Sequence, residues 1–297
     1  MEDVVIVGAG PAGLTAAIYV QRAGKHAIVY EKGVPGGQIV KALNVQNYPS
    51  IPSISGAELA ENLYKHAVEL GADIRFEEVT EIRLAGKKKL VITENGIVQA
   101  KTIIIATGTS NKRLGVPNEA KFLGNGVSYC ATCDGMFFKN KVVAVVGNEN
   151  AALLDALFLT NYCQKVYLLA PNKLSSDKTL LGELSRKTNF EILQNTHVTE
   201  FIGQEKLEGV IIKNSKLTRT LALSGLFVSV GKLPATDGFK NVLQTNNFGY
   251  IEAGEDCKTN IPGVFVAGDS RTKKVRQLTT ACSDGTVAAL AAIEYIK

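Results

Sequence analysis

Two cysteines separated by two residues, Cys130 and Cys133, precede Asp134 in a polar turn just before the strand-like run 141–146. Such a pair can close a small disulfide, and a nearby helix start or hydrogen-bond donor lowers the pKa of one thiol enough to make it nucleophilic. The same spacing is half of a structural zinc site, which needs two more Cys or His ligands at short spacing. The other cysteines and histidines are scattered singly: Cys163, Cys257, Cys282, His26, His66 and His197. The pattern therefore favours redox chemistry over metal binding, and we predict no metal site.

The length of 297 residues predicts two domains of ordinary size, each with its own core. Apolar residues make up 45% of the chain and charged residues 21%, a globular balance, and no apolar run is long enough to cross a bilayer. The acidic start, Met1-Glu2-Asp3, is unlike a signal peptide, so we expect a cytoplasmic protein without a membrane partner. A reducing cytosol favours a catalytic over a structural role for an adjacent cysteine pair.

The net charge of +5 favours acidic partners through long-range attraction. The basic run Lys87-Lys88-Lys89 lacks the interleaved aromatic residues that are typical of many nucleic-acid-binding segments. We interpret this run as the solvated tip of a hairpin, and we predict no nucleic-acid partner.

The elements that would position the cysteines begin with a nucleotide-binding pattern. An apolar strand over 4–7 is followed by Gly8, Gly10 and Gly13, then by a helix and a second strand that ends at Glu31. Gly8 permits the tight turn, Gly10 lets a pyrophosphate approach the backbone, and Gly13 allows the helix to pack closely. Glu31 can accept hydrogen bonds from ribose hydroxyls. We predict a dinucleotide-binding strand, helix and strand here.

A second strand, helix and strand follow the cysteine turn and repeat the first unit. Gly147 and Ala170 are 23 residues apart, the same separation as that between the first and last residues of the first fingerprint. In this register Glu149, Ala152 and Ala170 stand at the positions of the second glycine, the third glycine and the acid. The second copy is predicted to keep the fold and to lose the fingerprint.

The remaining segments supply loops, turns and helices. Helices are predicted over 56–70, 178–188 and 278–296, with turns at Gly86 and at Asn95-Gly96 between strands of the region 74–105. Crossings between the two domains are expected in 111–125 and near 231–234. The loop that holds Gln38 and Asn47 is expected to contact a ligand, and Asp269, at the end of a strand, is predicted at the ligand edge of a doubly wound sheet.

Four motifs in order make the chain resemble the low-molecular-weight thioredoxin reductases over essentially its full length. They are the glycine turn with Glu31, the Gly36-Gly37-Gln38 and Asn47 loop, the cysteine centre, and Gly268-Asp269 with Arg276-Gln277. The resemblance implies an α/β fold with two Rossmann-like, three-layer dinucleotide-binding domains, the second inserted in the first. Residues 1–114 and 239–297 would form the FAD domain, and 115–238 a degenerate pyridine-nucleotide-type domain that carries the cysteines. A homodimer is also implied.

The same resemblance implies roles for the candidate residues. Cys133 would lie against the flavin, Cys130 would attack the disulfide of thioredoxin, and Asp134 would move the proton. Around FAD, Gly8, Gly10, Gly13 and Glu31 would hold the pyrophosphate and adenosine ribose. Gln38, Asn47 and Thr107 would lie near the isoalloxazine, and Asp269, Arg276 and Gln277 would bind the ribityl chain, a phosphate or the ring edge. Asn47 and Thr107 could instead be turn residues only.

Ordinary members of that family carry an intact second glycine fingerprint and an arginine-rich segment that binds the 2′-phosphate of NADPH. Here Glu149 puts a negative charge where a pyrophosphate would rest, and the arginine positions hold Pro171, Asn172 and Ser176. Two missing charge-assisted contacts cost about 3 to 6 kcal/mol, or roughly a hundredfold to ten-thousandfold in affinity. Ala170 offers no carboxylate for the ribose of NADH. We therefore predict that neither nucleotide is used.

The chain is most similar to the ferredoxin-dependent flavin thioredoxin reductases, which keep FAD and the cysteine centre but lack the NADPH motifs. This likeness implies that electrons pass from reduced ferredoxin through FAD and the Cys130–Cys133 disulfide to thioredoxin. We interpret Lys273, Lys274 and Arg276 as a basic docking surface for an acidic ferredoxin. Three alternatives remain: a flavin-dependent dithiol oxidase that uses oxygen, an NADPH-dependent thioredoxin reductase with an atypical site, and a non-catalytic flavoprotein redox sensor.

Overall fold

The computed structural model describes residues 1–85, 88–175, 178–215 and 217–297. Its contacts divide the chain into an outer unit, Met1–Ser110 with Leu233–Lys297, and an inserted unit, Asn111–Lys232. In chain order the strands are β1 (Glu2–Val7), β2 (Ala27–Glu31), β3 (Asp73–Phe76), β4 (Val79–Ala85), β5 (Lys88–Thr93), β6 (Gly96–Ile105), β7 (Thr109–Asn111), β8 (Val127–Ser128), β9 (Val142–Val146), β10 (Lys165–Ala170), β11 (Phe190–Gln194), β12 (His197–Ile202), β13 (Gly209–Lys213), β14 (Thr218–Ala222), β15 (Gly225–Val228), β16 (Lys232–Pro234) and β17 (Val264–Val266). The α-helices are α1 (Pro11–Arg22), α2 (Gly56–Glu69), α3 (Ala131–Asp134), α4 (Asn150–Leu159), α5 (Lys178–Ser185) and α6 (Leu278–Tyr295).

The outer unit is built on a mixed sheet in the order β3-β2-β1-β6-β5-β4, with β17 also paired to β6. Strands β1, β2, β3, β6 and β17 are parallel, whereas β5 is antiparallel to both of its neighbours. Residues 4–7 of β1 are all buried, because helices or strands cover both faces of a central parallel strand. The ends of β1, β2, β6 and β17 therefore lie at one carboxyl edge of the sheet.

Helices α1 and α6 pack together on one face of this sheet, and two glycines permit the close approach. A Cβ on Gly13 would lie 1.8 Å from the carbonyl oxygen of Gly8, and one on Gly285 would lie 2.2 Å from that of Ala12. A methyl group at either position would push backbone segments apart. The third fingerprint glycine thus brings α1 close to the turn that precedes it, as its sequence position predicts.

The inserted unit has three layers around a parallel sheet in the order β11-β10-β9-β15-β8. Alternate residues of β9 point to opposite faces: Val143 and Val145 pack with α4 and α5, and Ala144 and Val146 pack with the antiparallel sheet β12-β13-β14. The pair β9-α4-β10 has the same parallel strand, helix and strand arrangement as β1-α1-β2. The predicted fold class, two Rossmann-like domains with one inserted in the other, is confirmed.

Three local expectations differ from the structure. Helix α5 ends at Ser185, earlier than the predicted end at residue 188, and the cysteine turn contains the short helix α3. The hairpin-tip interpretation is wrong for Lys89, which is only 4% exposed. Its Nζ lies over the ring of Tyr295, 4.8 Å from the ring centroid. A lysine can be buried in this way because the aromatic face attracts its cation. The expected turn at Gly86, with Lys87, lies outside the described residues.

None of the helices within the described ranges combines the length and the apolar character that a bilayer span requires. The predicted division of labour between an FAD domain and a nucleotide-type domain, with boundaries after residues 114 and 238, stays a prediction.

Candidate active site

The two cysteines of the inserted unit form a disulfide, Cys130–Cys133, with 5.3 Å between their Cα atoms. Strand β8 leads into Cys130, which caps the start of α3 in an extended conformation. Cys130 is half-buried and Cys133 is exposed. The hydroxyl oxygen of Thr132 lies 3.4 Å from Sγ of Cys130, within reach of a thiolate on that sulfur. The turn therefore presents a reducible bond whose sulfurs are within reach of a partner.

Asp134 is held close to this pair by Ser128. The Ser128 hydroxyl donates to Oδ2 of Asp134 at 2.7 Å, and the serine Oγ accepts the N–H of Cys130 at 3.0 Å. Burial raises the pKa of Asp134, and the hydrogen bond from Ser128 partly opposes this effect. A carboxyl group with a raised pKa beside a disulfide is suited to hold and release a proton.

Tyr129, between Ser128 and Cys130, points to a different partner. Its hydroxyl donates to the buried carboxylate of Glu119, which also accepts the N–H groups of Leu114 and Gly115 at 3.1 Å each. Burial and then the Glu119 carboxylate raise the pKa of Tyr129, so its hydroxyl stays protonated as a donor. This anchor fixes the backbone immediately before the redox turn.

In the outer unit, the glycine turn between β1 and α1 lies at the carboxyl edge of the sheet. Gly8 has a φ of +105°, and a Cβ there would lie 2.5 Å from the carbonyl oxygen of Ala106. Gly10 caps α1, and a Cβ built on it has no described heavy atom within 4 Å. The first turn of α1 carries no acid. Open space at a helix N-terminus, where N–H groups and the helix dipole attract anions, fits a pyrophosphate.

The Glu31 carboxylate lies beside this turn. Its two oxygens accept the N–H groups of Ala9 and Gly33, each at 2.8 Å. Each carboxylate oxygen retains a further lone pair for a hydroxyl group. The glycine turn and Glu31 therefore fit the pyrophosphate and adenosine ribose of FAD.

The predicted loop residues lie near the same edge. Gly36 donates its N–H to the carbonyl oxygen of Ala9 at 2.7 Å, which holds the loop against the glycine turn. Gln38, two residues later in a short 3-10 helix, donates from Nε2 to the carbonyl oxygen of Thr109 at 3.3 Å. Thr107 follows β6 and donates its hydroxyl to the carbonyl oxygen of another outer-unit residue, Ala235, at 2.6 Å.

The C-terminal candidates converge before α6. The side chains of Asn47 and Gln277 meet at 3.4 Å, and Gln277 also forms the capping box of α6 with Thr280. The guanidinium of Arg276 donates to the carbonyl oxygen of Asp269 at 3.4 Å and lies 4.1 Å from the ring centroid of Tyr250. The structure thus brings the side chains of Asn47 and Gln277 together. The donors of Arg276, Gln38 and Thr107 bond to main-chain carbonyl oxygens.

Sequence reasoning missed a buried ionic cluster behind Gly268-Asp269. Asp284 accepts the Gly268 N–H at 2.9 Å, Nε of Arg271 at 2.8 Å and Nζ of Lys273 at 2.8 Å. Arg271 is 1% exposed and Asp284 is 4% exposed. The signal in the sequence was a lone acid among the mostly small, uncharged residues of the first half of α6, where a buried, unpaired charge would be costly.

This cluster corrects the docking interpretation. Lys273 is committed to Asp284 with a side chain only 5% exposed, and Arg276 is engaged with main-chain carbonyls and Tyr250. Lys274 alone of the three is exposed. The three residues therefore do not form a free basic surface, because internal acceptors take two of the three cations.

We expect Asp284→Ala to lower the free energy of unfolding of the apoprotein by about 3 to 5 kcal/mol in urea. The change would leave Arg271 and Lys273 buried without their carboxylate. Glu61→Ala, which removes the exposed ion pair with Lys65, is the matched control and should cause no resolvable change. Equal effects of the two variants would contradict this account of the cluster.

The cluster also sets an acid limit to stability. Burial alone would raise the pKa of Asp284, but the hydrogen bonds from Arg271 and Lys273 outweigh burial and hold it below the ordinary value. A carboxyl with a lowered pKa in the folded state stabilises the protein above its unfolded pKa and loses that contribution as pH falls. The free energy of unfolding should therefore decline below about pH 4, and less steeply in Asp284→Asn.

The second glycine turn, after β9, differs from the first at its second position. Glu149 is exposed and caps α4 without a side-chain capping bond, where Gly10 leaves open space in the first copy. The N–H of Ser175 donates to the carbonyl oxygen of Asn148 at 2.9 Å, so the segment after β10 is tied to the turn. Pro171 is half-buried; Asn172 is exposed, and Ser176 lies outside the described residues. The turn thus places a carboxylate at the helix start, where an anionic ligand would need a positive field.

Within the described ranges, no three His, Cys, Asp or Glu side chains are grouped as metal ligands.

Comparisons with known proteins cover nearly the whole chain. The profile of the family described as pyridine nucleotide-disulphide oxidoreductase matches residues 2–285. A Clostridium pasteurianum protein, described as a 34.2 kDa protein in the rubredoxin operon, is 42% identical over 298 residues, 99% of this chain and 97% of that protein. The thioredoxin reductase of Listeria monocytogenes is 37% identical and covers 99% of this chain and 94% of its own. The crystal structure of thioredoxin reductase from Streptococcus pyogenes matches with a TM-score of 0.95 at 37% identity, over 99% of this chain and 98% of that one.

Proposed function

The chain belongs to the pyridine nucleotide-disulphide oxidoreductase family, and we propose that it is a thioredoxin reductase that receives electrons from reduced ferredoxin, without NADPH. Thioredoxin reductases of this family are FAD-binding flavoproteins. The observation that carries the proposal is the Cys130–Cys133 disulfide with Asp134 tied to it through Ser128. It supplies a reducible bond and a proton carrier in one turn.

Bound FAD would supply a ring that accepts single electrons and passes on pairs. The residues that would hold it are those at the carboxyl edge of the outer sheet: Gly8, Gly10, Gly13, Glu31, Gln38, Asn47, Thr107, Asp269, Arg276 and Gln277. Backbone N–H groups at the start of α1 would bind its pyrophosphate, and Glu31 would orient the adenosine ribose.

The cysteine pair performs the exchange with thioredoxin. Two electrons and two protons convert its disulfide into two thiols, of which we assign Cys133 to the flavin side and Cys130 to the attack. The Cys130 thiol releases its proton to solvent, and its thiolate bonds to one sulfur of the thioredoxin disulfide. That S–S bond breaks, and the displaced thiolate takes a proton from Asp134. Cys133 returns its proton to Asp134 and displaces the thioredoxin sulfur from Cys130. The enzyme disulfide is then restored, and the second thioredoxin thiolate is protonated by solvent.

The second glycine turn supports a donor other than NADPH. The N-terminus of a helix normally attracts anions, but the Glu149 carboxylate at the start of α4 repels them. Ala170, at the end of β10, has no group to bind a ribose hydroxyl, and the neighbouring Pro171 and Asn172 carry no positive charge for a 2′-phosphate. The inserted unit therefore keeps the fold of a nucleotide-binding domain but lacks these contacts to the pyrophosphate, the ribose and the 2′-phosphate.

The distribution of charge supports an acidic partner on the inserted unit. Residues 111–232 contain 15 Lys and Arg against 10 Asp and Glu, whereas the rest of the chain has 18 of each. Among the ion pairs of the described residues, Lys165–Glu191 is the one that lies within the inserted unit. Unpaired positive charge steers acidic proteins, and ferredoxins are usually acidic.

The electron potentials permit this route. A low-potential ferredoxin near about −400 mV lies roughly 130 mV below thioredoxin near about −270 mV, which corresponds to about 6 kcal/mol for two electrons. Because one relative is described as a protein in a rubredoxin operon, rubredoxin is a second one-electron donor to test beside ferredoxin.

We expect reduced ferredoxin to support anaerobic thioredoxin reduction by the FAD-loaded protein, with NADPH at least about a hundredfold less effective because its contacts are missing. The measurement pairs flavin bleaching with the appearance of thioredoxin thiols, for ferredoxin, rubredoxin, NADPH and NADH. Rapid flavin bleaching by low micromolar NADPH would favour an atypical NADPH enzyme. Peroxide release with dithiol oxidation in air would indicate an oxidase, and the absence of transfer from every donor would indicate a sensor.

The same family likeness leads us to propose a homodimer. Sedimentation equilibrium of the FAD-loaded protein measures this directly, and a monomer at micromolar concentration would exclude a stable dimer. The cytoplasmic location stays a prediction.

A further inference from the structure

We propose that Ser128 is a positioning residue of the redox turn, whose hydroxyl couples the protonation state of Asp134 to the main chain of Cys130. This inference rests on the proposed disulfide-reductase function and extends it to a residue outside the cysteine motif. Ser128 ends β8 and is 4% exposed, so solvent does not compete for its hydroxyl.

Three polar atoms surround the Ser128 oxygen. Oδ2 of Asp134 lies at 2.7 Å, the nitrogen of Cys130 at 3.0 Å and the carbonyl oxygen of Cys130 at 3.3 Å. The Cys130 N–H donates to the serine, which leaves one serine hydrogen for two possible acceptors. The hydroxyl can therefore donate to only one of them at a time, the Asp134 carboxylate or the Cys130 carbonyl oxygen.

The charge of Asp134 decides that choice. An ionised carboxylate attracts the hydrogen more strongly than a neutral carbonyl and is also the closer acceptor. When Asp134 gains a proton, its own O–H can donate to the serine oxygen, and the serine hydrogen turns to the Cys130 carbonyl. The switch changes no covalent bond except the O–H bond of Asp134, whose proton goes to the displaced thioredoxin thiolate and is later replaced by the proton of the Cys133 thiol.

The Cys130 carbonyl is also where α3 begins. It accepts the N–H groups of Cys133 at 3.3 Å and Asp134 at 3.1 Å. A serine that turns toward this oxygen would compete with those bonds at the residue that carries the attacking sulfur. Proton transfer at Asp134 is thereby linked to the backbone that aims Cys130.

The surroundings of Asp134 leave Ser128 as its main polar influence. Burial raises the pKa of this carboxyl, and Ser128 lowers it. Titratable groups on the surrounding elements have other contacts: Glu119 with Tyr129, Asp155 of α4 with Ser229 and Lys232, and Lys141 over Phe138. The buried hydroxyl of Tyr162, near Gly135, has no hydrogen-bond partner among the described residues. Lys139, which follows the turn, is exposed.

The test follows the infrared carboxyl band of Asp134, identified by its loss in Asp134→Asn, through a pH titration of the protein. In Ser128→Ala the band should titrate about one to two pH units higher, because the donor to the ionised form is gone. Thr160→Val removes a buried hydroxyl elsewhere in the inserted unit and should leave the titration unchanged. Ser128→Thr, which retains the hydroxyl, should stay close to wild type. An unshifted band in Ser128→Ala, or an equal shift in Ser128→Thr, would overturn the proposal.

Kinetics give a second readout. Thioredoxin reduction should slow about tenfold in Ser128→Ala, but adding Ser128→Ala to Asp134→Asn should cost little more, because the two residues act as a unit. Full additivity of the two changes would reject the coupling. The infrared titration needs neither donor nor thioredoxin, so it tests Ser128 even where the proposed reductase function fails. Ser128→Gly removes the same hydroxyl and replaces the alanine variant where that variant does not fold.

Discussion

Cys133→Ser is expected to bind FAD as wild type does and to lose thioredoxin reduction by more than about a thousandfold. Without a second thiol, the Cys130 thiolate can attack a disulfide but nothing releases the product. A mixed disulfide between Cys130 and a single-cysteine, activated thioredoxin should therefore accumulate and be visible on a non-reducing gel. In Cys130→Ser, the corresponding mixed disulfide between Cys133 and thioredoxin should be scarce, because we assign Cys133 to the flavin side.

Cys282→Ser is the matched control, because Cys282 is a partly exposed free cysteine of the outer unit. It should keep near-normal turnover. Equal trapping of thioredoxin by Cys130 and Cys133 would contradict the division of labour between them. Retained turnover in Cys133→Ser would contradict the redox role of the pair altogether.

Gly10→Glu is expected to weaken FAD binding by roughly a hundredfold to ten-thousandfold while leaving the apoprotein folded. The substitution copies into the first glycine turn the residue that the second turn already has at Glu149. A Cβ at Gly10 would meet no described heavy atom within 4 Å, so we expect the fold to accept a side chain there. The glutamate carboxylate would occupy the space for the pyrophosphate and repel its charge. Fluorescence titration of the apoprotein with FAD measures the loss.

Gly182→Ala controls for this change, because Gly182 is also open on its side-chain face but lies in α5 of the inserted unit. It should bind FAD normally. An unchanged FAD affinity in Gly10→Glu would refute the pyrophosphate site and, with it, the argument from Glu149 against nicotinamide nucleotides.

Local sequence determined the parts of this protein whose physics is local. The strand, glycine turn, helix and strand from β1 to β2 follow from an apolar run, three glycines and an acid at fixed spacing, and the structure places them as expected. The second copy could be aligned by spacing alone, which exposed Glu149 and Ala170. The cysteine pair was evident because a disulfide across two intervening residues needs only its own turn.

Tertiary structure decided which charged and polar groups are available. Lys273 and Arg276 looked free in the sequence, but folding brings Asp284 of α6 and a ring of carbonyls against them. Lys89 looked solvated beside other lysines, yet its place in β5 turns it onto Tyr295 at the far end of the chain. Contacts of this kind depend on how the chain folds, so they could not be predicted from the spacing of residues in the sequence.

The redox turn joins the two kinds of information. Cys130, Cys133 and Asp134 could be named from five consecutive residues, and their chemistry follows from thiol and carboxyl properties. The role of Ser128 became visible only in the structure, where β8 is buried and the serine hydroxyl bonds to both Asp134 and the main chain of Cys130. The sequence thus determined which groups react, through their types and short-range spacing. The fold determined which donors and acceptors face them, because burial and strand geometry fix hydrogen bonds that sequence order leaves open.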